Sequence, residues 1–261
     1  MQAARPYTLG EVASRVILLP GGVIPASIAY GALVEALDDD VATLTKDLEL
    51  YAGPQPPADY TLEHEVEGVL SAAQDAGWDR FHLVGFSAGG AASLACAEAR
   101  PERLLSLALI EPAWMGNNGL SPQERSVRRE FERIAELPPQ ERMPAFVANQ
   151  LAPGVKPPSR VGPPPPWLAT RPAGLAALTR TFGASRLRVD SLRSFKRPVY
   201  FALGGKSNPN NYKHMAERAS SIFPDFTLDV FEERSHLDPP HQAEPARLAR
   251  ALRAHWARAS D

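Results

Sequence analysis

Several things are scarce in this 261-residue chain, and each scarcity removes a class of function. There is one cysteine, Cys96, so no intrachain disulfide can form and a disulfide-stapled secreted scaffold is excluded. Cys96 lies in a small-residue stretch and reads as packing rather than chemistry. No uninterrupted apolar run is long enough to span a bilayer, and the opening residues MQAARPYTLGE hold no leader-like apolar region. A cytoplasmic protein with no membrane partner is therefore expected. Neither charge sign dominates: 28 Lys and Arg face 30 Asp and Glu, a net charge of −2, with the signs interspersed. This gives no electrostatic reason to expect a nucleic acid partner. The six histidines are scattered without ligand spacing, so no metal is expected; the nearest grouping, His236 with Asp238 and His241, has another explanation below. Gly21-Gly22 and Gly204-Gly205 lack the G-x-G-x-x-G spacing of a dinucleotide site, and no cofactor is expected.

What the chain does have is proline, 26 residues or about twice the usual share, and enough apolar residues, 44%, for a sizeable core. Continuous apolar runs at 15–19, 41–45, 81–86 and 104–110 read as strands buried on both faces. Between them lie segments of helical length: 26–37, 62–77 (with Leu62, Val66, Val69, Leu70 and Ala73 at helical spacing) and 88–99. Residues 38–40 read as a turn. This β-α alternation implies an α/β fold, a parallel sheet with helices on both faces. The rhythm stops after Pro112. Ser121-Pro122-Gln123-Glu124 is a strong helix start, and further helices are expected at 144–151 and near 173–182 around the stiff connector PGVKPPSRVGPPPPW. No strand signal occurs over 115–185. Alternation resumes with a strand at 199–203, a helix stripe at 212–223, a strand at 226–231 and a last helix over 245–258. The arginines 247, 250, 253 and 258 of that helix read as a solvated face. The expected organisation is a core of residues 1–112 and 186–261, with 113–185 inserted as a helical cap.

Residues 81–99, FHLVGFSAGGAASLACAEA, carry the chemistry. An apolar strand turns at Gly85-Phe86-Ser87-Ala88-Gly89 into an Ala-rich helix, which places Ser87 on a tight turn above a sheet edge, with glycines where side chains would meet neighbouring backbone. The helix N-terminus beneath can stabilise an oxyanion. In this strand–elbow–helix context the chain resembles the serine-nucleophile α/β-hydrolase superfamily, its esterase- and lipase-like branch. The resemblance implies a mostly parallel sheet and a Ser–acid–His triad. Among the histidines, His236 alone lies in the loop directly after the final strand, which matches the superfamily's chain order; His241 is the weaker alternative. The superfamily usually places an aspartate after the strand at 199–203, but Gly204-Gly205-Lys206-Ser207-Asn208-Pro209-Asn210-Asn211 has no carboxylate. Glu111, at the end of the strand following the elbow helix, is the expected orienting acid; Asp238 and an uncharged Asn208 are rivals. The oxyanion donors implied are the N–H of Ala88 and that of Gly22, with Val23 as an alternative to Gly22.

These residues lead to a cofactor-independent serine hydrolase acting on a carboxylic ester, lactone or thioester. Serine rather than aspartate at the apex argues against the superfamily's alkyl-enzyme branches. Trp114, Met115, Phe131, Phe146, Trp167 and Phe182 give the insertion apolar bulk, most of it expected to hold the cap on, and favour a small to medium apolar acyl substrate. Two other readings stay open: C–C bond hydrolysis or perhydrolysis with the same triad, and a binding protein that has lost turnover. Oligomeric state is not legible.

Overall fold

The apolar runs become strands because a run hydrophobic on both faces is stable only with a packed layer on each side. In a computed structural model, which describes residues 14–37, 39–158 and 162–259, they form a single six-stranded sheet. In chain order the elements are β1 Ser14–Leu19, α1 Ala26–Ala29, α2 Gly31–Ala36, β2 Val41–Thr45, α3 Leu62–Asp75, β3 Phe81–Phe86, α4 Ala88–Ala99 and β4 Leu104–Ile110. Then follow α5 Pro122–Glu136, α6 Pro139–Asn149, α7 Arg171–Ala184, α8 Val189–Arg193, β5 Val199–Gly204, α9 Tyr212–Ile222, β6 Phe226–Phe231, α10 Pro240–Ala243 and α11 Pro245–Trp256. Strand order is β2-β1-β3-β4-β5-β6, and every pairing is parallel. All carboxyl ends therefore point to one edge, where ligands bind in open α/β sheets.

Side-chain alternation divides the core. Leu107 and Leu109 of β4 join one cluster with α3, α4 and α9, while Ala108 and Ile110 join the opposite cluster with α2 and α11. Buried Cys96 belongs to the first cluster, and burial pushes its thiol up to about 12, which fits packing. No helix among the described residues is long and apolar enough to cross a membrane.

Two expectations need adjustment, and one helix was not anticipated. The segment 26–37 is two short helices, interrupted at Tyr30, whose hydroxyl donates to the Leu19 carbonyl at 2.8 Å. Helix α6 starts at Pro139, five residues before the expected 144: proline is acceptable at a first helical position, and Pro144 is carried inside the helix. Helix α8 was not anticipated; five residues are too few to show a period. Part of the turn at 38–40, and the whole of 1–13, lie outside the described residues. The capping box at Ser121 forms as read: Glu124 N–H donates to Ser121 Oγ at 3.1 Å, and Ser121 N–H to Glu124 Oε2 at 2.7 Å. Helices α5, α6 and α7 all occur between the neighbouring strands β4 and β5, and they pack on one another above the sheet's carboxyl edge.

Candidate active site

The elbow is strained and held from both sides. Ser87 has φ 51° and ψ −114°, a left-handed conformation that is costly for a residue with a side chain. Its N–H donates to Ile110 O at 3.1 Å, and the Gly89 N–H donates to Pro20 O at 2.9 Å, so the turn is tied to the ends of β4 and β1. The flanking glycines are needed for space: a Cβ at Gly85 would sit 2.4 Å from Gly89 O, and one at Gly89 would sit 2.4 Å from Leu19 O. Both distances are closer than real Cβ contacts.

His236 meets Ser87. Its Nε2 lies 3.0 Å from Ser87 Oγ and its Nδ1 3.0 Å from Glu111 Oε2. An ionised carboxylate can only accept, so Nδ1 carries the hydrogen and Nε2 is free to accept from the serine hydroxyl. Glu111 is 1% exposed; its second oxygen accepts from the Gly204 N–H at 2.8 Å. Two charge-assisted bonds thus satisfy a buried carboxylate. Glu111 too has a left-handed backbone, φ 44°, which turns its side chain toward the end of β5. The imidazole is held between aromatic rings: Tyr212 stacks on it at 4.4 Å and 15°, and Phe86 lies tilted at 4.8 Å. Burial, followed by the nearby Glu111 carboxylate, raises the Tyr212 phenol well above its ordinary range, so it stays neutral.

The rivals are elsewhere. Asp238 pairs with Arg234 at 2.7 Å. His241 is fully buried, its ring against Tyr30 at 4.8 Å and Phe86 at 4.7 Å; burial, then nearby His236, lowers it to about 3. Asn208 holds the end of α6: its Nδ2 donates to Asn149 O at 2.9 Å and its N–H to Gln150 O at 3.0 Å. The loop without the usual aspartate therefore fastens α6 to the core. Ala88 opens α4, and a Cβ at Gly22 would lie 3.7 Å from that of Ala88. Among the described residues neither N–H has a backbone acceptor.

Four supporting residues have no local sequence signal. The Tyr51 hydroxyl donates to Gly22 O, and Arg171 Nε donates to Val23 O at 2.6 Å, across 29 and 148 residues of chain. The Arg171 guanidinium also lies 3.7 Å over the Tyr51 ring. The other two are Tyr212 and Gln150, whose side chains are hydrogen-bonded through the Tyr212 hydroxyl.

Above Ser87 and His236 lies a cavity of about 600 Å³. Its walls include Trp114, Met115, Phe131, Phe146 and Phe182, so most of this apolar bulk lines space rather than serving packing alone; Trp167 does not line it. The reason is that α5–α7 turn their apolar faces to the sheet edge, and the elbow leaves that edge unfilled.

The model of the alpha/beta hydrolase family matches residues 16–251. A protein of Pseudomonas savastanoi pv. phaseolicola that carries the name "Putative carbamate hydrolase RutD" is 36% identical over 102 residues, which cover 36% of this chain and 39% of that one. The chain thus matches about two fifths of the length of that relative, and 46% of the same-named protein of Caulobacter vibrioides. A thermophilic esterase from Thermogutta terrifontis has a similar structure, with TM-score 0.68, 21% identity, and 94% of this chain and 89% of that one covered. Proline iminopeptidase of Mycobacterium smegmatis gives TM-score 0.65 and 19% identity, covering 99% and 95%. At such identities the structural likeness shows the fold alone.

Proposed function

The chain belongs to the alpha/beta hydrolase family, and from that membership we propose that it is a serine hydrolase cleaving a carboxylic ester, lactone or thioester bond without a cofactor. The observation that supports this is the unbroken hydrogen-bonded chain from Glu111 through His236 to Ser87, 3.0 Å at each link. Ser87 Oγ attacks the acyl carbon as His236 Nε2 takes its proton. Glu111 holds the imidazole in the required tautomer and stabilises the imidazolium. The N–H groups of Ala88 and Gly22 receive the developing oxyanion. Collapse expels the leaving oxygen or sulfur, protonated by His236. A water molecule, deprotonated by the same nitrogen, then releases the acid from Ser87. Residues 113–185 act as the cap and supply the apolar acyl site. Buried, unpaired Cys96 fits a cytoplasmic setting.

The 36% identity to a protein named for carbamate hydrolysis adds a second substrate class, a carbamate, which the same three residues would cleave through a carbamoyl-serine. Incubation with a fluorophosphonate probe, p-nitrophenyl esters of several chain lengths and a p-nitrophenyl carbamate tests the reading. Labelling and ester turnover, both lost in Ser87→Ala, are expected. Labelling without turnover of either ester or carbamate would transfer the triad to C–C hydrolysis or perhydrolysis, and no labelling would leave a binding protein.

A further inference from the structure

We infer that Gln150 binds substrate, its side-chain amide donating a hydrogen bond to an uncharged acceptor oxygen carried a few bonds from the scissile carbonyl. This rests on the serine-hydrolase reading and narrows its substrates to esters with a second keto, amide or ether oxygen. Gln150 caps the end of α6 and is 2% exposed, yet it lines the cavity together with Tyr212 and His236. Its backbone is fixed, because its carbonyl accepts from Asn208 N–H at 3.0 Å. Its side chain is fixed too. The Tyr212 hydroxyl donates to Oε1, so the oxygen faces the tyrosine and the NH₂ faces away from it. Among the described residues that NH₂ has no acceptor. The nitrogen is not one of the enclosed unpartnered atoms, so it is reachable from the cavity, and an acceptor on a bound molecule gives it a partner there.

The place is close to the chemistry. The Tyr212 ring stacks on His236 at 4.4 Å, so the amide stands one phenol ring from the imidazole. Nearby walls are apolar, with Phe131, Phe146 and Met215 among them, so a directional donor has selective value there. The cavity's charged residues, Arg128, Arg218, Glu124 and Glu132, sum to zero and give no reason to expect an anionic group.

The test compares kcat/KM for ethyl hexanoate with that for ethyl 4-oxohexanoate, ethyl 5-oxohexanoate and 2-methoxyethyl hexanoate. At least one oxygenated ester is expected to exceed the parent by about 3–10-fold in the native protein, the range of one neutral hydrogen bond. In Gln150→Met that ratio is expected to fall to about one. Gln150→Glu keeps an acceptor for Tyr212 and, when ionised, replaces the amide donor with a charged acceptor; assayed at a pH where the carboxyl is ionised, it is expected to lose the same preference, and it serves if Gln150→Met does not fold. The inference is overturned by no preference in the native protein, by a ratio that survives in the variants, or by variants that slow all four esters by one factor. The last outcome would make Gln150 a support for Tyr212 only. Fluorophosphonate labelling of the native protein is run in parallel: failure to label is failure of the serine-hydrolase reading, whereas labelling without the expected ratios is failure of this one.

Discussion

The floor of the cavity and its roof are built on different terms. The floor is the carboxyl edge of the sheet, where strand ends and the elbow are tied mainly backbone to backbone, with the Glu111 carboxylate as one side-chain tie. There Ser87 N–H is bonded to Ile110 O, Gly89 N–H to Pro20 O and Gly204 N–H to Glu111, and an added methyl at Gly89 has no room. The roof, α5–α7, meets the core mainly through side chains and a few polar fasteners, Arg171 to Val23 O, Thr181 to Tyr60 O and Asn208 to Asn149 O, with backbone bonds only just beyond the end of α6, from Asn208 N–H to Gln150 O and Ala152 N–H to Lys206 O. Backbone contacts hold atoms to fractions of an ångström, which attack and proton transfer require. Side-chain contacts can be changed one at a time, which suits a surface that selects substrates.

Substitutions on the two sides should therefore have effects of different kind and size. The largest belongs to the floor. Glu111→Gln keeps the shape and removes the charge, and it should lower kcat/KM on a p-nitrophenyl ester by about 10³–10⁴-fold, as loss of the orienting carboxylate does in serine triads. Activity near that of the native protein would discard Glu111 and blur the distinction.

The core below the roof, through His82 of β3, His241 of α10 and His255 of α11, also carries a pH liability. Burial lowers His82 and His241 to about 3 and His255 to about 4. All three remain neutral in the folded protein at pH values where an unfolded chain would protonate them. Their stabilisation is complete above the unfolded pKa of about 6.5 and is lost as pH falls toward 3–4. At pH 5 each contributes a loss of roughly 2 kcal/mol. Urea unfolding at pH 7 and pH 5 measures it; equal midpoints would show that the three rings do not stay neutral.

On the roof, Phe146→Ala removes a ring that packs 5.9 Å from Phe131 and lines the cavity. KM for a hexanoate ester should rise about tenfold, and kcat should change much less. A fall in kcat with KM constant would assign the ring to the chemistry instead.

The smallest effect sharpens the contrast most. Asn208→Ala removes one fastener and should cost about two- to fivefold in kcat/KM, the scale of one hydrogen bond. A thousandfold loss would mean that Asn208 orients His236 after all.

The sheet, the elbow and the order of Ser87, Glu111 and His236 along the chain were legible because each has a local signature. Buried strands are continuous apolar runs, the elbow is five residues with glycines at fixed places, and His236 is the histidine that directly follows the last strand. The contact of Glu111 with His236 was anticipated through the superfamily resemblance, because the loop where that superfamily usually has an aspartate holds no carboxylate here. The interruption at Tyr30 and the early start of α6 were not: one depends on a bond to Leu19 across the fold, the other on tolerance of Pro144 inside a helix. Tyr51, Arg171, Tyr212 and Gln150 were invisible for the same reason. Nothing in their neighbourhoods marks them, and each acts on a residue brought close only by folding.

Residue order alone determined that a parallel sheet would form and that a serine would stand at its edge, because strand burial and a glycine-flanked turn are constraints on neighbouring residues. Only the tertiary structure decided which partners reach that serine, that the aspartate-less loop fastens α6, and that Trp114, Met115, Phe131, Phe146 and Phe182 face a cavity. Those outcomes depend on contacts between residues 59 to 149 positions apart, and such contacts are fixed by how layers pack, which no local pattern encodes.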